Sequence, residues 1–355
     1  MITIQEPFVP EQFYPGICPA DSSMLFFDIE TTGFSREFHQ IYLIGAAACQ
    51  NGIWSLHQWF AETPEEEAGV IQAFLDFALP FDTLIHFNGT RFDLPFTEAR
   101  ARLHQVEWTL DFAHAIDLMT MIKPYKSLCH LENCRQKSVE QMLGLSGRED
   151  VMTGGELIPV YYSYLRNPDS RKLELLLLHN ADDVRGMTAL TQAASLPDFF
   201  KSSFHLTDCS HSQQGIVLHY QSSIRLRSLC QAVFDFWEIQ AGGDTLSLSI
   251  PIVDKELKHF YKDYKNYYYL PEEDMVIHKS VAEFVDKDHK KKATRQNCCV
   301  KKKGRFLPQP DLLITPEFSE KTADKFTYIP VETFPQTDEF AQQYLKALFV
   351  RYRLL

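Results

Sequence analysis

The chain has no CxxC pair, no internal repeat, no apolar run approaching the roughly 18 to 20 residues a membrane span needs, and no basic-then-apolar leader between Met1 and Pro10. Each absence excludes something. Without a leader or a span, the expected location is cytoplasmic and no membrane partner is expected. Eight scattered cysteines (18, 49, 129, 134, 209, 230, 298 and 299) form no dense pattern, so reduced thiols are expected in place of a disulfide framework. Cys129, His130 and Cys134 give three zinc-capable side chains, but with poor spacing and no matching second pair.

What is present is an ordinary folded composition, 45% hydrophobic and 23% charged over 355 residues, long enough for two domains. The net charge of −12 conceals an asymmetry. From Lys287 to Arg305 nine Lys or Arg stand against one acid, Asp288, a net of +8 that leaves −20 on the rest of the chain. A polyanionic partner, disfavoured by the total, is therefore allowed by the distribution.

The first half alternates short apolar runs with helical patterns, which predicts an α/β domain. Strands are expected at 24–29, 41–49, 53–60 and 83–87, the second and third turned at Asn51-Gly52. Thr63-Pro64 and three glutamates predict a capped helix with Val70, Phe74 and Phe77 on its apolar stripe. Further helices are expected at 95–104, 138–145, 157–165 and 173–194, and a domain boundary at 195–205. We divide the chain into an N-terminal extension (1–22), a core domain (23–200) and a smaller α+β, β-rich C-terminal domain (205–355) that closes with a helix near 338–352.

Asp28 and Glu30 lie two apart on an otherwise apolar strand, so both face one way. At an effective dielectric near 20, two carboxylates about 4 Å apart repel by about 4 kcal/mol unless a proton or cation lies between them. A divalent metal would relieve that repulsion, although D-x-E taken alone is more often a solvated strand end. It is not alone. The run FDIETTG (Phe27 to Gly33) stands in the company of FNGTRFD (Phe87 to Asp93) and HNADD (His179 to Asp183), and these three ordered segments closely resemble the exonuclease motifs of the DEDD nucleases. The fuller wording, with IYLIG at 41–45, FNGTRFDLP and HNADDV, looks like the YprB-type ribonuclease H-like domain family over about residues 24 to 194.

The resemblance implies an RNase H-like core, a mixed central sheet flanked by helices. It implies a metal-dependent 3′→5′ exonuclease acting on single-stranded RNA or DNA ends, with Asp28, Glu30, Asp93 and Asp183 as metal ligands. Mg²⁺ or Mn²⁺ suits an oxygen-rich donor set, and in a two-metal scheme ions about 3.5 to 4 Å apart clamp the scissile phosphate. His179, one helical turn before Asp183, is the candidate general base. The family's histidine usually stands five residues before the aspartate and its tyrosine four, so this histidine occupies the tyrosine spacing. Asp182 competes with Asp183 for the ligand role, and Asp117 reads as a helix cap.

Thr31, Thr32 and Gly33 are candidates for offering backbone groups to a terminal nucleotide, a role a plain turn contests; Asn88 and Phe92 are similarly placed. In the second half, lysines at 258, 262 and 265 interleave with tyrosines, and Lys301, Lys302, Lys303 and Arg305 are candidate phosphate contacts. The competing reading is a nuclease core retired from catalysis and kept as a nucleic-acid-binding or regulatory module.

Overall fold

The computed structural model describes residues 1–11, 13–17, 23–110, 115–145, 148–150 and 152–355. They form two compact units, Met1–Asp198 with Leu226–Ser228, and Phe199–Arg225 with Leu229–Leu355.

The first unit is built on a sheet of β1 (Ile2–Phe8), β2 (Met24–Thr31), β3 (Ile41–Gln50), β4 (Ile53–Phe60), β5 (Thr83–His86) and β6 (Ala115–Asp117). Their order is β1-β4-β3-β2-β5-β6. The first four are joined by antiparallel ladders and β2, β5 and β6 by parallel ones. This is the mixed sheet with flanking helices of an RNase H-like fold. Asn51 and Gly52 both take positive φ, 53° and 79°, as the tight turn between two twisted strands requires.

The helices are α1 (Glu67–Ala78), α2 (Asp93–Leu103), α3 (Leu118–Ile122), α4 (Gln136–Met142), α5 (Gly154–Arg166) and α6 (Ser170–Leu190). The period-2 alternation of β2 assigns them their faces. Leu25, Phe27 and Ile29 join Val70, Phe74, Leu94 and Phe96 in one apolar cluster, with α1 and α2. A second cluster unites Tyr42 and Phe60 with Leu157, Tyr161, Tyr164 and Leu176 of α5 and α6.

Three features depart from the sequence expectation. Residues 2–8, inside the segment read as an extension, pair along β4 and form the sheet's edge. The turn at Pro64–Glu66 is 3₁₀, Thr63 makes no capping bond there, and the α-helix begins at Glu67. The boundary segment 195–205 is largely helical, over Ser195–Lys201.

The second unit carries three small sheets. Their orders are β7-β8-β9 (Phe204–His211, Gly215–Phe234, Trp237–Pro251), β10-β14-β15 (Val253–Phe260, Cys299–Gln309, Thr327–Pro330) and β12-β11-β13 (Met275–His278, Tyr267–Leu270, Lys291–Lys292). The closing helix, Asp338–Tyr352, is capped by Thr337 and anchored by Tyr344. The Tyr344 hydroxyl accepts from Trp237 Nε1 at 2.7 Å and donates to the Pro308 carbonyl at 2.6 Å.

One buried acid ties the first unit together. Glu67, fully enclosed at the start of α1, accepts from the Ile41 N–H at 2.8 Å and from Arg100 Nε of α2 at 2.7 Å, and lies 2.7 Å from His104 Nε2. It thereby fixes the start of β3 and the orientation of α2. Removing one member of such a pair strands the other's charge in the interior, which costs about 3–5 kcal/mol. Arg100→Met is expected to lower the denaturant midpoint accordingly, while Arg102→Met, at an exposed pair with Glu98, changes it by less than about 1 kcal/mol.

Candidate active site

Asp28 and Glu30 project from the face of β2 opposite Leu25, Phe27 and Ile29, and α6 packs against β2 and β3. That approach is close. Gly45, paired with Asp28 across the ladder, has no room for a side chain, since a Cβ there would lie 1.9 Å from Asn180 Oδ1. Asn180 Nδ2 donates to Asp28 Oδ2 at 3.1 Å, and its Oδ1 accepts from Gln58 Nε2 at 2.9 Å. Asp93 is the first residue of α2 and is buried. The turn before it is shaped by Asn88, whose φ is 65° and whose N–H donates to Asp117 Oδ1 at 2.9 Å. Asp117 also accepts from the Met119 and Thr120 N–H groups, so it caps α3.

The two neighbouring aspartates of α6 have separate partners. Asp182 Oδ2 accepts the Glu149 and Asp150 N–H groups, both at 2.7 Å, and so pins the loop before α5. Asp183 faces the acids of β2. One donor atom each of Glu30, His179 and Asp183 lie within 4.8 Å of one another. His179 Nε2 is 3.6 Å from Glu30 Oε1 and 3.4 Å from Asp183 Oδ2, while its Nδ1 is 2.6 Å from Asp150 Oδ2. Asp183 Oδ1 meets Arg148 Nη2 at 2.6 Å, and Arg148 also forks onto Glu140 at 2.9 and 2.8 Å. Gly186 makes room for that fork, since a Cβ there would lie 2.5 Å from Glu140 Oε1.

The electrostatics follow from this convergence. Burial, then the charges of Asp93, Asp183 and Glu30, push Asp28 well above the carboxylate range. Burial, then Asp183 and Asp93, do the same to Glu30. Burial raises Asp93 to about 7 against the pull of backbone donors at Asp93 and Ile29. Asp183 is raised by burial and partly restrained by Arg148 and His179. Four acids whose proton affinities are all raised form a donor set for a hard divalent cation, which would compete with protons there and cancel the repulsion. Arg148 leaves Asp183 Oδ2 toward the centre, so its ion pair is compatible with such an ion.

The other sequence candidates are arranged less uniformly. The Thr31 hydroxyl donates to the Gly33 carbonyl at 2.8 Å, and Thr32 Oγ1 accepts the Gln40 N–H at 2.9 Å, so both hydroxyls serve the turn. At Gly33 a Cβ would lie 2.4 Å from the His39 ring. Half-buried Phe92 meets Phe34 edge-on at 6.1 Å, and Phe34, 86% exposed, forms an aromatic lip beside Asp93. Lys301, Lys303 and Arg305 alternate outward on β14, but Lys258, Glu256 and Asp254 of β10 stand opposite them. Lys301 pairs with Asp274, Lys302 with Glu332 at 2.9 Å, and Arg305 Nη2 donates to the Gln213 carbonyl. Two of the segment's nine basic residues, Lys301 and Lys302, are thus paired with acids of their own unit. The side chains of Cys129, His130 and Cys134 form no metal-sized group among the described residues.

Arg148, Asp150, Glu140, Asn180 and Phe34 escaped the sequence reading. Asn180 stands inside the HNADD run and Phe34 directly after TTG, so position alone marked them; Arg148 and Asp150 lie in a loop with no periodicity to mark them.

Because the folded Asp93 keeps its proton to about pH 7 and an unfolded aspartate loses it near pH 4, this group's contribution to stability is complete below pH 4 and is lost as pH rises through 7. In EDTA, Asp93→Asn is expected to raise Tm by roughly 2–6 °C at pH 8 and by much less at pH 5. Scanning calorimetry at the two pH values checks it; equal shifts would contradict the assignment.

A family model described as the RNase_H superfamily matches residues 25–195. Among solved structures, the chain is similar to the family B DNA polymerase of the archaeon Pyrobaculum calidifontis (15% identity, TM-score 0.41, covering 70% of this chain and 35% of that one). It is also similar to a product-bound exonuclease I (13%, 0.32, covering 57% and 58%) and to a zinc-bound complex of E. coli ExoI with single-stranded DNA (15%, 0.30, covering 57% and 55%). The chain thus spans about a third of the polymerase and just over half of the exonuclease. The search of curated proteins gave no match. The family match thus covers 171 of the chain's 355 residues.

Proposed function

We propose that the chain is a metal-dependent 3′→5′ exonuclease that hydrolyses phosphodiester bonds at single-stranded RNA or DNA ends and releases 5′-mononucleotides. The observation that carries this reading is the convergence of Asp28 and Glu30 from β2, Asp93 from the start of α2 and Asp183 from α6 on one centre, each pushed toward protonation by burial, and Asp28, Glu30 and Asp93 also by the charge of Asp183. A fold does not keep four such acids together for stability. Two ions of the Mg²⁺ or Mn²⁺ type between these carboxylates would supply charge stabilisation for the phosphate and activation of the attacking water.

The chain's own residues do the rest. The hydrogen-bonded chain Gln58–Asn180–Asp28 holds one carboxylate in register, and Arg148 holds Asp183 through a single oxygen. Phe34 and Phe92 beside Asp93 offer a π-face to the terminal base, an interaction worth about 1–3 kcal/mol and indifferent to sequence. The Arg148–Asp183 pair is the one observation that favours a retired core, because it already sets a cation on one of the four acids.

Digestion of 3′- and 5′-end-labelled single strands in Mg²⁺, Mn²⁺ and EDTA decides between the readings. A metal-dependent ladder shortening from the 3′ end is expected, and tight binding without cleavage in either metal would establish the retired core. Asp28→Asn with Asp93→Asn should abolish hydrolysis while leaving Tm in EDTA unchanged or higher. Phe34→Ala should raise KM roughly tenfold with kcat nearly unchanged, from the loss of one stacked base; an unchanged KM would remove the aromatic lip from the substrate path.

A further inference from the structure

We propose that His179 is a nitrogen ligand of the divalent ion held with Glu30 and Asp183, and that Asp150 is the positioning residue that holds its ring for that task. The proposal rests on the nuclease reading and assigns within it a role to the histidine that differs from general base.

Three observations carry it. First, His179 and Asp183 are four apart on α6, the helical spacing that sets two side chains side by side on one face and suits them to chelate a common ion. Second, Nε2 faces ligand atoms: Asp183 Oδ2 at 3.4 Å and Glu30 Oε1 at 3.6 Å. Neighbouring ligands of an octahedral ion with bonds of 2.0–2.1 Å are about 3 Å apart, so the two edges at Nε2 exceed that spacing by about half an ångström, in a triangle whose atoms all lie within 4.8 Å of one another. A general base needs that lone pair turned to a water molecule; here the direction is filled by carboxylates. Third, Nδ1 lies 2.6 Å from Asp150 Oδ2, with both side chains buried. Donation of Nδ1–H to that carboxylate leaves the Nε2 lone pair for the centre, the arrangement in which a metal-bound imidazole is oriented by an outer acid.

Asp150 is itself held in place. Its Oδ1 accepts the Met152 N–H at 2.9 Å, its Oδ2 takes Lys137 Nζ at 3.2 Å, and its own N–H is bound by Asp182. Gly154, at the start of α5, lies against the centre: a Cβ there would meet Glu30 Oε2 at 3.7 Å and His179 Nε2 at 3.9 Å, ordinary van der Waals contact. The chemical consequence is selectivity. Mn²⁺, a transition ion, accepts a nitrogen ligand more readily than Mg²⁺, so an imidazole among carboxylates favours Mn²⁺ over Mg²⁺ more than an all-oxygen site would.

The test is pulsed EPR of the full-length protein loaded with Mn²⁺, which reads ¹⁴N coupling to the bound ion, together with Mn²⁺ and Mg²⁺ affinities by calorimetry. Wild type should show coupling from one histidine, lost in His179→Ala. The same change should cut the preference for Mn²⁺ over Mg²⁺ by about tenfold, and Asp150→Asn should weaken Mn²⁺ binding roughly 10- to 100-fold. Should a variant fold poorly, the wild-type spectrum alone decides. Bound Mn²⁺ without ¹⁴N coupling, or coupling that survives in His179→Ala, overturns the ligand role and leaves the carboxylate centre standing. No binding of Mn²⁺ at all overturns the nuclease reading with it.

Discussion

The repulsion among four carboxylates, two buried and two half-buried, is the constraint around which the first unit is organised. Left to themselves, Asp28, Glu30, Asp93 and Asp183 would separate or move to solvent, because each raises its neighbours' proton affinity and burial compounds the effect. What holds them together is rigid scaffolding in which each acid is carried by a different buried contact. Asn180 and Gln58 fasten α6 to β2, Glu67 and Arg100 fasten α2 and β3 to α1, and Arg148 fastens Asp183 to α4 through Glu140. These contacts hold the acids in place as a preorganised set.

Residues of one chemical type are divided among tasks by their surroundings. Asp182 and Asp183 are adjacent, yet one accepts two backbone N–H groups of a loop and the other faces the acids of β2. Asp117 and Asp150 are likewise buried acids near the centre, and both act on a neighbour, one by capping α3 and shaping the turn at Asn88, the other by holding His179. Helix phase explains the first contrast, since consecutive residues on α6 point about 100° apart. The loop that carries Arg148 and Asp150 thus touches the centre twice, through the ion pair to Asp183 and through the imidazole.

The charge of the lysine-rich segment is offset in part by acids of its own unit. Its +8 is real along the chain, but β14 lays Lys303 and Arg305 across from Glu256 and Asp254, and Asp274 and Glu332 take up Lys301 and Lys302. Surface pairs of this kind add little stability, yet they do cancel field. In the first unit, the exposed ring of Phe34 meets Phe92, the residue before Asp93, edge-on.

Much of the core and of the centre was legible in the sequence, because strand alternation and helical spacing act over a few residues. β2, β3, β4 and β5, the turn at Asn51-Gly52, the helix around Val70 and Phe74, and the shared face of Asp28 and Glu30 all follow from such short-range periodicity. The partners of those residues were not legible. That Asn180 presses on Gly45, that Asp150 meets His179 across 29 positions, that residues 2–8 complete the sheet and that the lysines of β14 find acids are facts of packing between segments far apart in the chain. Sequence alone determined which side chains share a face of one element; the tertiary structure decided which faces meet, because contact energies between distant segments depend on a geometry that no local pattern encodes.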